Sequence, residues 1–161
     1  MYNYLGLTDD RLKHMRQVGE RCIEIASKLS KHSLTVNEQQ KYFMIGFLHD
    51  IGYRFSTIQT EHNAIGAQML HDVGVVNSVL IPISEHGKPK PLNINKDIVI
   101  LNIADMTTSS DGQKVTFDER MAGIEKRYGK NSKQYIEAVE VWKNSEKWIK
   151  ENTNISNISL I

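Results

Sequence analysis

The stretch Phe47-Leu48-His49-Asp50-Ile51-Gly52 sets an imidazole directly before a carboxylate at the end of an apolar run, with a glycine two residues on. A neutral imidazole nitrogen and a carboxylate oxygen make a good pair of ligands for a divalent metal. His14 lies upstream, and His62, His86 and Asp105 lie downstream, each in a segment that reads as helical or as a helix edge. Asp105 falls on the apolar face of its segment, and Asp50 ends a very apolar run. A buried carboxylate without a partner is strongly disfavoured, so both acids call for cations or donors. One divalent ion between the helices would answer both needs. A buried His-Asp hydrogen bond plus a helix cap, with no metal, is the other arrangement these residues allow.

The elements that must position these side chains follow from apolar spacing and capping signals. Thr8-Asp9-Asp10 opens a first helix, with a hydroxyl to cap it and two acids near the positive end of its dipole. Met15, Val18, Cys22, Ile25, Ala26 and Leu29 recur at three- and four-residue spacing, and His14 borders that stripe. Asn37 is the expected N-cap of a second helix that runs to the His-Asp pair, and Gly52 is expected to end it in the left-handed region. Glu61 to His71 reads as a third helix stopped by Gly74. Val75 to Ser84 fits a short helix, against which β-branched residues and Pro82 argue. Gly87-Lys88-Pro89-Lys90-Pro91 cannot be regular structure.

A further helix is expected from Asn95 to Met106, followed by a turn-rich loop from Thr107 to Lys114. Thr116-x-x-Glu119 is a capping box for a helix bearing Phe117, Met121, Ile124 and Tyr128, ended by Gly129. Ser132 caps a last helix whose buried stripe is expected to be Tyr135, Ile136, Val139, Trp142 and Ile149. No stretch alternates with period two over a strand's length. The expectation is an all-α chain, a compact bundle of six or seven helices over residues 1–150, with a polar, frayed tail at 151–161.

Composition bounds the function. A chain of 161 residues with 40% hydrophobic content suits one domain with a sizeable core. A formal net charge of +1 gives no bulk attraction to nucleic acid or to an anionic membrane, so any phosphate binding is a local arrangement. The apolar runs fall far short of the roughly 18 residues that span a bilayer. The N-terminus lacks the basic start and apolar stretch of a signal peptide, and the single cysteine, Cys22, excludes an internal disulfide. A cytoplasmic location is the expectation from these features.

The histidines and aspartates together resemble the HD-domain superfamily of metal-dependent phosphohydrolases, whose motif is a histidine, then His-Asp, then a distant aspartate. The matching elements are His14 with Val18 four residues later, Leu48-His49-Asp50-Ile51-Gly52, and Ala104-Asp105. The resemblance implies that His14, His49, Asp50 and Asp105 ligate one metal. His62, in Glu61-His62-Asn63-Ala64-Ile65-Gly66-Ala67, and His86, in Ser84-Glu85-His86-Gly87, are similar to the histidines that hold a second ion in two-metal members, with Asp50 bridging. In one-metal members such histidines contact substrate phosphate instead, and both arrangements stay open at this point. His32 and His71 read as solvated.

Nitrogen ligands favour manganese, iron, cobalt, nickel or zinc over magnesium, and the lack of thiolates argues against a structural zinc. One divalent ion with two aspartates makes a neutral centre, whereas two leave a positive excess able to recruit phosphate. Arg54, Lys88 and Lys90 are candidate phosphate contacts. A divalent ion lowers the pKa of bound water from about 15.7 towards about 7, which makes hydrolysis of a phosphate ester the expected reaction. In that scheme Asp50 or Asp105 accepts a proton, and a protonated His62 or His86 assists the leaving group. The expected substrate is a small phosphorylated molecule, nucleotides being the nearest guide from the superfamily. A nucleotide-sensing module that holds metal without turnover, and a di-iron oxygenase on the same scaffold, are the alternatives.

Overall fold

The computed structural model describes residues 6–56 and 61–158. The described residues form seven α-helices: α1 (Asp9–Leu29), α2 (Val36–Leu48), α3 (His62–Asp72), α4 (Asn77–Glu85), α5 (Lys96–Met106), α6 (Phe117–Tyr128) and α7 (Lys133–Asn152). A 3-10 turn, Ile51–Arg54, follows α2. Among the described residues the only strand-like pairing is an isolated bridge between Thr108 and Lys114. The fold is all-α, as the 3.6-residue periodicity predicts. No described helix is long and apolar enough to cross a membrane.

Local chemistry sets most helix ends. The Thr8 hydroxyl accepts from the Arg11 amide at 3.2 Å to open α1. At α2 the cap is Thr35, two residues earlier than the expected Asn37: its hydroxyl accepts from the Glu38 amide while the Glu38 carboxylate accepts from the Thr35 amide at 2.8 Å. That reciprocal pair satisfies two orphan amides at once, which a lone asparagine cannot do. Thr116 and Glu119 form the same box at α6, and Ser132 caps α7. α4 forms in spite of Pro82, because Val79, Leu80 and Ile83 are buried together on its inner face.

The centre of the bundle is α5. Ile98, Val99, Ile100, Leu101, Ile103 and Ala104 are all at most 1% exposed, so this helix is apolar around its whole circumference and needs neighbours on every side. α1, α2, α4 and α7 supply them, while α3 pairs with α4, and α6 with α7. Cys22 is fully buried in this core. Two expectations fail at the periphery: Ile136 and Tyr128 are 51% and 41% exposed, since the stripes of α6 and α7 turn toward each other and leave these positions outside. After α7, Ile155 packs on the core and Ile158 is 5% exposed, while residues 159–161 of the expected tail lie outside the described residues.

Candidate metal centre

Two close helix contacts bring the site together. α1 and α2 cross with Gly46 against Gly19, so tightly that a Cβ on Gly46 would lie 2.6 Å from the Gly19 Cα and the Val18 carbonyl oxygen. That crossing sets His14 on α1 beside His49, the last residue of α2's C-terminal cap. The second contact is at Gly52. It was expected to end α2 with a positive φ, but it has none and sits inside the 3-10 turn. Its requirement is space: a Cβ there would meet the His62 carbonyl oxygen at 2.0 Å and the Gly66 amide at 2.6 Å. The missing side chain lets the turn lie directly on the start of α3 and delivers His62 to Asp50. His86, at the end of α4, and Asp105, near the end of α5, complete the ring.

Asp50 is the shared member. Its Oδ1 lies 3.3 Å from His49 Nε2, 3.3 Å from His62 Nε2 and 3.9 Å from His86 Nε2, while its Oδ2 lies 3.7 Å from His14 Nε2. Asp105 Oδ1 is 3.1 Å from His14 Nε2 and 3.9 Å from His49 Nε2. Two groups of donors could each hold a metal ion, His14-His49-Asp50 and Asp50-His62-His86. Donors about 2.0–2.2 Å from one ion stand roughly 3–4 Å from each other. The observed separations match that requirement.

Proton positions make the same case. His49 Nδ1 lies 2.6 Å from the Gly46 carbonyl, His86 Nδ1 2.6 Å from that of Ile83, and His14 Nδ1 2.8 Å from that of Ser109. A carbonyl can face only an N–H, so each ring presents its Nδ1 proton to the backbone and turns Nε2 toward the centre. The buried Nε2 atoms of His14 and His49 have no hydrogen-bond partner, and they face carboxylate oxygens, which are acceptors. Nitrogens and carboxylate oxygens gathered this closely are stable only around protons or a metal cation, and the backbone carbonyls supply the outer contacts that orient ligating imidazoles. The residues present fit a divalent metal. The carbonyl that holds His14 belongs to the loop after α5, which is tied by Ser109 N to Gln113 O at 2.8 Å and packs Gly112, at φ +83°, on the backbone of Lys13.

The electrostatics agree. Burial alone would raise the Asp50 and Asp105 pKa values, but both are held well below the ordinary carboxylate range: Asp50 by His49, His62 and Arg11, Asp105 by His14 and Arg120. Burial opposes charge on His49, yet Asp50 and Asp105 outweigh it and raise its pKa, the response of a site that favours positive charge. His86 goes the other way. Burial, then the neighbouring His49 and His62, pull it down to about 3. A ring that stays neutral at working pH suits a metal ligand and not the proton donor expected for the leaving group.

A cavity of about 260 Å³ opens from this centre, with Arg11, Tyr53, Asn63, Lys88, Asn102, Arg120 and helices α6 and α7 in its walls. Of the three expected phosphate contacts, Lys88 lines it, while Arg54 and Lys90 do not. Arg54 turns outward and donates to the Gly6 carbonyl at 3.0 Å, because the 3-10 turn points its last residue away from α3. The cation missed in the sequence is Arg11, whose Nη1 pairs with Asp50 Oδ2 and whose guanidinium lies 4.1 Å from the Tyr53 ring centre. It stands three residues before His14, one turn away on the same face of α1, a spacing that was legible. Arg120, 3.4 Å from Asp105 Oδ1, has no comparable local signal. Tyr53 stacks on His62 at 4.0 Å between centroids and so holds that ring against Asp50. His32 and His71 lie outside the cluster with their side chains mostly exposed.

No curated protein and no solved structure matches the chain. The family described as HD domain matches residues 11–110, the span that contains every donor just described, from His14 to Asp105. With the helical fold, the His-Asp pair at the end of α2 and its ring of partners, the chain belongs to the HD domain family.

Proposed function

We propose that this protein is a metal-dependent phosphohydrolase that cleaves a phosphate monoester of a nucleotide or a related small molecule. The observation that carries the reading is Asp50, a buried carboxylate within 3.3–3.9 Å of four imidazole Nε2 atoms from four different elements. In this reading His14, His49, Asp50 and Asp105 hold one ion, and Asp50, His62 and His86 hold a second. The ions, when bound, supply Lewis acidity, which lowers the pKa of coordinated solvent and offsets charge on the phosphoryl group. Manganese, iron, cobalt, nickel and zinc suit the nitrogen-rich donor set better than magnesium.

The protein's own groups do the rest. Arg11 and Lys88 line the cavity and bind phosphate oxygens, Arg11 with the planar fork suited to a tetrahedral anion. Asp105 lines the cavity with its side chain 21% exposed, and its carboxylate takes the proton of the attacking water. As the new P–O bond forms, the ester P–O bond breaks and the leaving oxygen takes a proton from solvent at the cavity mouth. Cys22 is no rival nucleophile, since burial pushes its thiol far up and keeps it protonated. The test is phosphate release from a panel of nucleotides and sugar phosphates by the manganese-loaded chain, with elemental analysis of the protein purified without added metal. Release abolished by chelation and restored by manganese is expected; tight nucleotide binding without release across the panel would overturn the hydrolase reading.

A further inference from the structure

The HD family match ends at residue 110, but the cavity wall does not. Arg120 and Ile124 on α6, and Lys133, Gln134, Glu137, Ala138 and Val141 on α7, line the same space as the donors. This second wall is built to keep its shape. Phe117 of α6 stacks on Trp142 of α7 at 4.2 Å with an 8° angle between planes. Asn144 of α7 donates to the Pro89 carbonyl at 2.6 Å, and the Gly87 amide donates to Asn102 Oδ1 at 2.9 Å, so the 87–89 strap is held from α7 and α5 together.

The wall has two chemically distinct parts. Next to the donors is Arg120, with its side chain 13% exposed, one guanidinium nitrogen 3.4 Å from Asp105 Oδ1 and its buried Nε without a hydrogen-bond partner. Met106, Ile124, Ala138 and Val141 add an apolar surface, with the polar Gln134, Lys133 and Glu137 also lining the space. Each cationic lining side chain already has a carboxylate partner: Arg11 has Asp50, Lys88 has Glu85, Arg120 has Asp105 and Lys133 has Glu137, so bound divalent ions would supply the positive excess that favours a dianionic group. The volume of about 260 Å³ lies just below the roughly 300–1,000 Å³ of most small-molecule pockets, a size that suits one compact group.

We propose that the α6–α7 hairpin is the substrate-selecting wall of this site, recognising a monophosphate carried on one compact ring, with Arg120 on the phosphate and Met106, Ile124, Ala138 and Val141 on the ring face. This rests on the phosphohydrolase reading for its chemistry, but the wall is a binding surface and is measurable without turnover. Arg120 approaches the phosphate from the side opposite α1 and Arg11. The ring replaces water on the apolar surface, and the lysine, glutamine and glutamate of α7 meet its polar edge.

The experiment is calorimetric titration of the manganese-loaded full chain with two probes that cannot be hydrolysed, inorganic phosphate and phenylphosphonate. The unaltered protein is expected to bind phenylphosphonate about tenfold more tightly than phosphate, through ring burial. Ala138→Phe fills the apolar wall and should erase that preference, bringing phenylphosphonate affinity down to that of phosphate. Gln134→Phe, at a more peripheral position on α7, repeats the test should the first variant fold poorly by circular dichroism. Arg120→Gln should weaken both probes by about tenfold, the loss of a charge-assisted contact, with manganese content unchanged. A wild-type protein with no preference for the ring, or a preference that survives both phenylalanine variants, overturns the proposal. The hydrolase reading fails separately: ring selection with no release from p-nitrophenyl phosphate defeats that reading and leaves the wall standing.

Discussion

His62 Nε2 and His86 Nε2 lie 3.3 Å apart, although 24 residues separate them, and both face Asp50 Oδ1. His86 has its proton on Nδ1, donated to the Ile83 carbonyl, so its Nε2 offers only a lone pair to that space. Asn63 reinforces the arrangement by donating to the His86 carbonyl at 2.7 Å, which pins the end of α4 to the start of α3. Such a pairing of nitrogens belongs around a cation, and it supplies the second of the two donor groups.

Metal stoichiometry should therefore separate the two groups. His86→Ala is expected to keep the ion held by His14 and His49 and lose the other, and His14→Ala the reverse. Asp50→Ala, which removes the shared ligand, should lose both. Elemental analysis of the three purified variants reads the result directly. Equal metal content in Asp50→Ala and wild type would refute the assignment.

Chelation should lower stability. Ions that bind the folded chain and not the unfolded one stabilise it by mass action, about 2.7 kcal/mol at a hundredfold excess over Kd. Thermal unfolding followed by circular dichroism, with and without a chelator, should give a clearly lower Tm in the chelated sample. Added manganese should restore it, and a Tm indifferent to both treatments would count against the centre.

The two arginines near the His-Asp pair should behave differently. Arg11→Met removes a cation from the cavity and is expected to raise KM for a phosphate ester about tenfold or more. Arg54→Met, which loses only a contact to the Gly6 carbonyl, should leave kcat and KM unchanged. Steady-state kinetics on p-nitrophenyl phosphate compares them, and the opposite ranking would restore the role first expected for Arg54.

Two glycines test the packing argument. Gly52→Ala forces a Cβ against the His62 carbonyl and the Gly66 amide, so a loss of about 1–3 kcal/mol or more is expected from overpacking. Gly123→Ala, in an open position on α6, should stabilise by roughly 0.5–1 kcal/mol through helix propensity. Urea denaturation of both variants gives the two signs. Metal content of Gly52→Ala should fall as well, since the contact it breaks is the one that places His62.

Glu85, the residue before the donor His86, provides a pH test through its own ion pair. Burial would raise its pKa, but the Lys88 ammonium at 2.7 Å and the Leu92 amide at 3.0 Å lower it below the ordinary value of 4.5. A carboxylate with a depressed folded pKa adds stability that is present above its unfolded pKa and lost as pH falls through the folded one. Glu85→Gln should thus cost about 1–3 kcal/mol at pH 7. The gap from wild type should shrink as pH falls below 4.5. Denaturant titrations of both proteins across that range show whether the gap closes; a constant gap would mean that the carboxylate's charge plays no part.

Most helices were legible because their signals are local. Apolar spacing marks α1, the capping box marks α6, and His49-Asp50 stands out as a ligand pair in the primary sequence. The Thr35 cap was legible too, since Thr35 and Glu38 carry the same box, and the expected Asn37 competed with it only as a single side chain. Local chemistry by itself thus determined an all-α chain with histidines and aspartates at helix ends. Only the tertiary structure decided which of them meet. Asp50 reaches four imidazoles because Gly46 lets α1 and α2 touch and Gly52 lets the turn rest on α3. A residue without a side chain leaves no mark in a hydrophobic period, so those approaches have no signature before the backbone is folded. The same reason hid Arg120 and the α6–α7 wall: their partners lie across a cavity, and the distance across a cavity is fixed by how helices cross.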